Sequence, residues 1–170
     1  MSKQLLVTVG TTNFDLLLNS LDTKEFYNTL ITHGYNSVIF QKGNGSFVPN
    51  KENFCGIKVK TETFVSNFEN LIEESDLIIS HAGAGSILEG LRHKKRLIVC
   101  ANPSLMDDHQ KELASELHKG NFLWFCEDLG KIVEEIKAVL EGRIEIKEYE
   151  KGEPGRICRV IYEMMGMEEE

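Results

Sequence analysis

The stretch Asp76-Leu-Ile-Ile-Ser-His-Ala-Gly-Ala-Gly-Ser-Ile-Leu-Glu89 joins a short apolar run to an amphipathic run through a turn with two glycines. A continuous apolar run such as Leu77–Ser80 is typical of a strand buried on both faces of a parallel sheet. The spacing of apolar residues after Ser86 predicts a helix. Gly83 and Gly85 carry no side chain to keep a ligand from the backbone of the turn. The stretch therefore predicts a strand–turn–helix unit of an α/β domain, with an anion site at the turn.

The same alternation of apolar and amphipathic runs extends along the whole chain. Strands are predicted at Leu5–Val9, Ser37–Gln41, Gly56–Lys60, Leu77–Ser80, Leu97–Ala101 and Phe122–Phe125. Helices are predicted at Phe14–Leu21, Thr23–Thr32, Val65–Glu74, Ser86–His93, Asp108–Lys119 and Gly130–Glu141. Strands separated by helices imply βαβ units, so the sequence predicts a doubly wound, mainly parallel α/β sheet of the Rossmann type.

Two stretches rich in turn residues, 42–50 and 142–155, are predicted to be loops. Beyond the second loop, Arg156–Met167 carries apolar residues at helical spacing. We therefore divide the chain into a domain at residues 1–141 and a linker with a C-terminal helix at residues 142–170. The apolar face of that helix either packs on its own sheet or docks on a partner.

Composition limits the classes of function. The 170 residues, 41% hydrophobic and 27% charged, suit one soluble domain with a hydrophobic core. The chain has no apolar run long enough to span a bilayer and its start has no signal-peptide cleavage site, so we expect a cytoplasmic protein without a membrane span. A net charge of −8 argues against nucleic-acid binding. An anionic ligand would instead bind backbone N–H groups and helix dipoles.

The four cysteines, Cys55, Cys100, Cys126 and Cys158, are widely spaced and form no C-x-x-C pair. Cys100 and Cys126 lie in apolar runs. They are predicted to be buried free thiols rather than metal or redox groups.

Three clusters of polar residues follow predicted strands, where open parallel sheets bind ligands. In the first, Gly10 allows a tight turn, and the hydroxyl and N–H groups of Thr11 and Thr12 suit a phosphate. The alternative is that Thr12 or Asn13 is an ordinary N-cap of the following helix.

The second cluster is the turn at Ser80–Glu89. The Ser86 hydroxyl can donate to a phosphate, and the Glu89 carboxylate, one turn further on, can accept from both hydroxyls of a ribose. The alternative for these two residues is an S-x-x-E capping box, which leaves His81 and the two glycines unexplained. The dinucleotide fingerprint G-x-G-x-x-G is broken at Leu88, and no Walker motif is present.

The third cluster follows the strand Leu97–Ala101. Asn102 and Pro103 come first, Asp107 or Asp108 can cap the next helix, and His109 and Gln110 fall in its first turn. An imidazole and an amide suit hydrogen bonds to sugar hydroxyls, although simple solvation would also explain an exposed His-Gln pair.

Together, three ordered motifs resemble a known family: Gly10-Thr-Thr-x-Phe14, His81-Ala-Gly-Ala-Gly-Ser-x-x-Glu89, and Asn102-Pro followed by Asp108-His-Gln-x-Glu-Leu-Ala114. The family is that of the cytosolic subunits of two-part eukaryotic UDP-N-acetylglucosamine (UDP-GlcNAc) transferases, with the glycosyltransferase family 28 C-terminal domain. More distantly, the motifs resemble the C-terminal half of the bacterial transferase of peptidoglycan synthesis. The resemblance spans about Lys3 to Leu140 and implies the C-terminal half of a GT-B glycosyltransferase.

The resemblance also implies roles for individual residues. The backbone of Ala84 and Gly85 with the Ser86 hydroxyl would hold the diphosphate, helped by Thr11 and Thr12. Glu89 would bind the ribose, and His109 and Gln110 the sugar. Phe64 and Val65 would cradle the uracil. Residues assigned to the substrate site are Gly10, Thr11, Thr12, Phe64, Val65, His81, Gly83, Ala84, Gly85, Ser86, Glu89, Asn102, His109 and Gln110.

The implied reaction adds the second GlcNAc to dolichyl-diphosphate-GlcNAc in N-glycan precursor synthesis, with inversion. The partner would be a membrane-anchored, acceptor-binding subunit at the cytosolic face of the endoplasmic reticulum. His81 is a weak candidate for the base, which is expected on the partner. No cofactor is expected besides the donor UDP-GlcNAc. The lack of a D-x-D pair near the phosphate site suits metal-independent transfer, although Asp107-Asp108 keeps a metal formally open. Rival functions are a half-domain for another UDP-sugar, a non-catalytic nucleotide-sugar-binding module, and an oxidoreductase domain.

Overall fold

A computed structural model describes residues 2–104 and 108–149, without the side chains of Asp108 and His109. The predicted C-terminal helix Arg156–Met167 lies outside the described residues. The strands are β1 (Lys3–Thr8), β2 (Tyr35–Gln41), β3 (Lys58–Glu62), β4 (Leu77–His81), β5 (Arg96–Cys100) and β6 (Trp124–Cys126). The helices are α1 (Asp15–Leu21), α2 (Lys24–Thr32), α3 (Phe68–Glu73), α4 (Ala84–Arg92), α5 (Asp108–Lys119) and α6 (Ile132–Leu140).

Within the described ranges the strands form one parallel sheet in the order β3-β2-β1-β4-β5-β6. The predicted doubly wound sheet is thereby confirmed. The chain starts in the middle of the sheet at β1 and runs outward through β2 to β3. It then returns to the middle at β4, beside β1, and runs outward on the other side through β5 to β6. The strand order therefore reverses between β1 and β4. That junction is the topological switch point of the sheet.

Two hydrophobic layers cover the faces of the sheet. One face packs against α1, α2 and α6, and the other packs against α3, α4 and α5. In β1, Leu5, Leu6 and Val7 are fully buried because neighbouring side chains point into opposite layers. This arrangement explains the continuous apolar runs of the inner strands.

β3 and α3 both begin later than predicted. β3 begins at Lys58 instead of Gly56, because Cys55 and Gly56 adopt left-handed backbone conformations with φ of 52° and 91°. α3 begins at Phe68 instead of Val65, because the Asn67 side chain caps it by accepting from the Asn70 N–H at 3.1 Å. The second difference keeps Val65 in a loop.

The segment at residues 142–149 has no helix or strand but follows the surface of the domain. Ile144 and Ile146 pack against one hydrophobic layer, and Tyr149 stacks edge-on against Phe122 of the other. The Lys147 N–H donates to the Asn121 carbonyl at 2.7 Å. In the described ranges, no helix combines the length and apolar character needed to cross a bilayer.

Candidate functional site

A cavity of about 450 Å³ opens at the carboxyl edge of the sheet, within the size range of small-molecule sites. It lies beside the switch point, since one wall follows β1 and another follows β4. Its lining residues are Gly10, Thr11, Gln41, Phe64, Val65, Phe68, Gly85, Ser86, Leu88 and Glu89. Seven of these were assigned to the substrate site from the sequence. The structure therefore brings together residues from all but the third predicted cluster.

The wall after β1 is built on the Gln41 side chain, which ends β2 and is 3% exposed. Its Oε1 accepts from the Gly10 N–H at 3.0 Å and from the Thr8 hydroxyl. Its Nε2 donates to the carbonyls of Gly10 and Thr63, both at 2.7 Å. Every hydrogen-bonding position of the amide is used, so Gln41 fixes the Gly10 turn and the start of the loop after β3.

The glycine at position 10 is required for two reasons. Its φ of +62° lies in the left-handed region, which strains other residues. A Cβ at Gly10 would also lie 2.8 Å from Cε1 of His81. A Cβ at Gly83 would lie only 2.3 Å from Nε2 of the same ring. The imidazole of His81 is therefore packed against two glycines, one from each turn at the switch point.

Burial lowers the pKa of His81, and the nearby Thr8 backbone opposes that change only in part. The buried Nδ1 makes no hydrogen bond of normal geometry. The neutral imidazole is thus favoured. His81 acts as a spacer between the two turns in the free protein and does not line the cavity.

The α4 helix begins at Ala84, two residues earlier than predicted, with Gly83 as its N-cap. The capping-box alternative for Ser86 and Glu89 is wrong, because Ser86 is the third helical residue and is no cap. Glycine offers no capping side chain, so the first-turn N–H groups of the helix are left without a side-chain acceptor. Together with the helix dipole, these donors make the turn suited to an anion.

Gly85 differs from Gly83 in its surroundings. A Cβ at Gly85 would meet no atom within 4 Å, since the position faces open space at the cavity wall. Of the two glycines in the motif, Gly83 is needed by the His81 ring, whereas Gly85 leaves room in the cavity.

Glu89 supplies the only charged side chain among the described residues that line the cavity. Its Oε1 accepts from Nη1 of Arg92 at 3.1 Å. An anionic ligand would find no lysine or arginine in this lining. This lining is compatible with the prediction from the charge balance that a phosphate would bind backbone N–H groups and the helix dipole.

The remaining wall is apolar. Phe64, Val65, Phe68 and Leu88 face the cavity, and Phe64 is 53% exposed. A large exposed phenylalanine beside a cavity suits stacking against a flat ring. Phe64 and Val65 also line a smaller cavity of about 240 Å³ on the side of β3.

Two predicted site residues use their side chains within the fold. The Thr12 hydroxyl donates to the Val9 carbonyl at 2.8 Å. The Asn102 amide donates to the Asn13 carbonyl at 3.2 Å and accepts from the Ser104 N–H at 3.1 Å. Phe14 rather than Thr12 or Asn13 is the residue that precedes α1, but the Asn13 side chain accepts from the N–H of Asp15, the first residue of that helix, at 3.2 Å. The N-cap alternative is therefore wrong for Thr12 and met in part by Asn13.

The residues predicted to bind sugar are placed only in part. Gln110 lies in the first turn of α5, as predicted, but outside the cavity lining, and the His109 side chain is not described. Asp107 falls outside the described residues. Thr12, His81, Gly83, Ala84 and Asn102 also lie outside the lining, so their binding roles stay predictions.

Sequence reasoning missed Gln41, Phe68 and Leu88 as cavity residues. A signal existed for Gln41, because it is a polar residue at the carboxyl end of a buried strand, where ligand sites form. Phe68 and Leu88 looked like ordinary apolar positions of amphipathic helices.

The loop at residues 42–50 is tied to the turn after β1. Asn44 donates through its side chain to the Thr11 carbonyl at 2.8 Å, and both the N–H and hydroxyl of Ser46 donate to Asp15, each at 2.8 Å. Burial raises the pKa of Asp15, but the Ser46 and Phe47 hydrogen bonds and Lys42 outweigh it and lower the pKa overall.

The thiol prediction is confirmed for Cys100 and Cys126, which are buried and free. A hydrogen bond with Cys126 and burial raise the pKa of Cys100, as expected for an unreactive structural thiol.

The parallel sheet, its switch point and the cavity beside the uncapped start of α4 define a Rossmann-like ligand-binding domain. The model of a family described as "Glycosyltransferase family 28 C-terminal domain" matches residues 4–154. The chain belongs to this family.

Relatives and solved structures agree with this placement. The chain is 39% identical over 124 residues to the UDP-N-acetylglucosamine transferase subunit ALG13 of Mus musculus, covering 73% of this chain and 11% of that protein. It is 33% identical to the ALG13 subunit of Saccharomyces cerevisiae, covering 73% of this chain and 77% of that protein. The chain thus spans only a small part of its mouse relative.

An NMR solution structure of ALG13 is similar with a TM-score of 0.68 at 26% identity, covering 94% of this chain and 95% of that one. The crystal structure of Acinetobacter baumannii MurG is similar with a TM-score of 0.66 at 16% identity, covering 98% of this chain and 50% of that one. The second likeness concerns the fold alone, which is that of the C-terminal half of a GT-B glycosyltransferase.

Proposed function

We propose that this chain is the donor-binding subunit of a UDP-GlcNAc transferase that adds the second GlcNAc to dolichyl-diphosphate-GlcNAc in N-glycan precursor synthesis. One observation carries the proposal: the cavity at the switch point joins an uncapped helix start, a carboxylate and an exposed aromatic ring. These groups suit a diphosphate, a ribose and a base, respectively. Family membership and the names of the relatives support the same donor.

In the proposed complex, the first-turn N–H groups of α4 and the Ser86 hydroxyl bind the diphosphate. These dipoles stabilise the negative charge that develops on the leaving group. Glu89 accepts from the ribose hydroxyls, and Phe64 with Val65 contacts the uracil. His109 and Gln110 contact the sugar from the start of α5.

During transfer, an acceptor hydroxyl oxygen forms a bond to the anomeric carbon while the bond from that carbon to the diphosphate oxygen breaks. UDP leaves with the bonding electrons, and the hydroxyl proton passes to a base. We place the base on the acceptor-binding chain, since the His81 ring is packed against Gly10 and Gly83 and does not line the cavity. No cofactor and no metal enters this scheme.

The partner in this proposal is a membrane-anchored, acceptor-binding chain at the cytosolic face of the endoplasmic reticulum, and the two chains form a heterodimer. The fold supports such a division, because GT-B enzymes bind donor and acceptor in separate halves and this chain matches one half of a MurG chain. A cytoplasmic chain recruited by its partner would meet the lipid-linked acceptor there.

The proposal predicts that Glu89→Ala weakens UDP binding about tenfold to a hundredfold, because a charged hydrogen-bond acceptor is lost. Isothermal titration calorimetry with UDP, UDP-GlcNAc, UDP-glucose and NAD measures this. Glu116→Ala is the matched control, since Glu116 pairs with Lys119 at i,i+3 as Glu89 pairs with Arg92, but lies on α5 outside the cavity.

Binding of NAD without a response to UDP would overturn the proposal. Preference for UDP-glucose would indicate a half-domain for another sugar. UDP-GlcNAc binding without transfer to a lipid-linked GlcNAc acceptor, in the presence of a co-purified membrane-anchored partner, would indicate a non-catalytic binding module.

A further inference from the structure

Two buried polar atoms without hydrogen-bond partners face each other beside the cavity. They are Oε2 of Glu89 and Nε2 of His93, separated by 3.7 Å. Such atoms are rare in folded proteins, and each one calls for an explanation. The pair stands about 0.8 Å beyond normal hydrogen-bond distance, so a small movement of the carboxylate would join the two atoms.

The His93 ring is largely buried beside the neighbouring helix α3. Its side chain is 18% exposed, and Nδ1 lies 3.4 Å from Oε1 of Glu73 on α3. Its Nε2 also lies 3.4 Å from Oε1 of Glu69. The backbone is fixed as well, since the His93 N–H donates to the Glu89 carbonyl at the end of α4. The ring is therefore held by its burial and by the fixed backbone at the end of α4, since Glu69 and Glu73 are themselves 62% and 55% exposed.

The two oxygens of Glu89 have different partners. Oε1 is bound by Arg92, whose side chain is 63% exposed. An exposed ion pair of this kind is weak and is readily exchanged for another donor. Oε2 is buried and faces His93. A ligand hydroxyl can therefore take the place of Arg92 at Oε1 while Oε2 stays on the protein side.

We infer that His93 is a positioning residue for Glu89: its Nε2–H donates to Oε2 and thereby aims Oε1 at the ribose of the bound nucleotide. This inference rests on the proposed function, because it takes a ribose as the ligand of Glu89. The Glu69 carboxylate also faces this Nε2 at 3.4 Å, but its side chain is 62% exposed, so the buried Oε2 of Glu89 is the acceptor that stays in place. A residue that orients a ligand-binding side chain often contributes to affinity, and its loss weakens ligand binding.

A purely structural role for His93 makes different predictions. Through Glu69 and Glu73 the ring also ties α3, which carries Phe68, to α4, which carries Leu88 and Glu89. Loss of that tie would change the whole cavity. It would weaken the binding of every nucleotide, whether or not that nucleotide carries ribose hydroxyls.

The test measures dissociation constants of UDP and 2′,3′-dideoxy-UDP by calorimetry for the full chain and its variants. EDTA is present, since the ligand atoms of Glu69, Glu73 and His93 lie within 4.8 Å of one another and could bind a stray cation. His93→Leu should weaken UDP binding about fivefold to tenfold and dideoxy-UDP binding less than about twofold. In the Glu89→Ala background, His93→Leu should have no further effect on UDP.

Conservative variants keep the test decisive if the leucine variant does not fold. His93→Gln retains a donor that reaches Glu89 and should recover most of the UDP affinity, whereas the shorter amide of His93→Asn should not. A Glu69→Gln, Glu73→Gln double variant breaks the tie to α3 but keeps His93, and should cost less than His93→Asn.

Equal losses for UDP and dideoxy-UDP, or additive losses in the Glu89→Ala background, would overturn the positioning role. So would unchanged UDP binding in His93→Leu when Glu89→Ala weakens it, and that result leaves the proposed function intact. Failure of the wild-type chain to bind any UDP compound would overturn both.

Discussion

The two walls of the cavity differ in how their polar groups are satisfied. On the β1 side, Gln41 makes four hydrogen bonds and holds Gly10 by both its N–H and its carbonyl. On the α4 side, the first-turn N–H groups have no side-chain cap, and Glu89 and His93 each keep a buried atom without a partner. The amide of the β1 wall is fully hydrogen-bonded without a ligand, whereas the α4 wall has unpaired donors and acceptors that a ligand can bind. Stability and binding should therefore respond to different substitutions.

The largest expected effect is the loss of stability in Gln41→Leu. The substitution removes the partner of the part-buried carbonyls of Gly10 and Thr63 and of the buried Thr8 hydroxyl, and leaves the Gly10 N–H only the Thr8 hydroxyl at 3.3 Å. Because unpaired buried groups cost about 1–3 kcal/mol each and part-buried groups cost less, the free energy of unfolding should fall by about 2–4 kcal/mol. Urea unfolding followed by circular dichroism measures this.

Gln4→Leu is the matched control on β1, where the amide Nε2 has no hydrogen-bond partner. Its cost should stay below about 1 kcal/mol, since little hydrogen bonding is lost. Similar costs for the two variants would mean that the Gln41 amide does not hold the β1 wall.

The two glycines at the start of α4 should respond differently to the same substitution. Gly83→Ala forces a methyl against the His81 ring and should destabilise the fold by about 1–3 kcal/mol. Gly85→Ala meets open space and should stabilise it by about 0.5–1 kcal/mol through helix propensity, while its methyl narrows the cavity and weakens UDP binding about fivefold. Thermal unfolding and calorimetry on both variants separate these outcomes. A destabilised Gly85→Ala with normal binding would contradict the assignment.

The smallest expected effect is a pH dependence of stability due to His81. Its folded-state pKa lies below its ordinary value, so the unfolded chain binds the proton at a higher pH than the folded chain does. As the pH falls through about 6.5 towards the folded-state pKa, the free energy of unfolding should therefore decrease. His81→Gln should flatten that slope between about pH 7 and 5.5. An unchanged slope would show that other groups cause it.

Much of the fold follows from local patterns. Each predicted strand and helix of residues 1–141 has a counterpart in the structure, because continuous apolar runs and helical spacing directly reflect burial in a parallel sheet. The Gly-rich turn was also recognisable, since Gly83 and Gly85 stand out in the sequence. The bounds of β3 and α3 were missed, because Cys55, Gly56 and Asn67 set them through backbone conformation and capping.

The sequence by itself determined the class of fold, the anion-binding turn and the family resemblance, because these depend on residue type and spacing along the chain. Only the tertiary structure decided what each residue of the Ser80–Glu89 turn does. It showed that Gly83 packs against His81 while Gly85 borders the cavity, that Ser86 is not a cap, and that Glu89 faces His93. It also revealed Gln41 as the support of the opposite wall. These roles arise where separate strands end side by side, and such contacts depend on distances in space that no local pattern records.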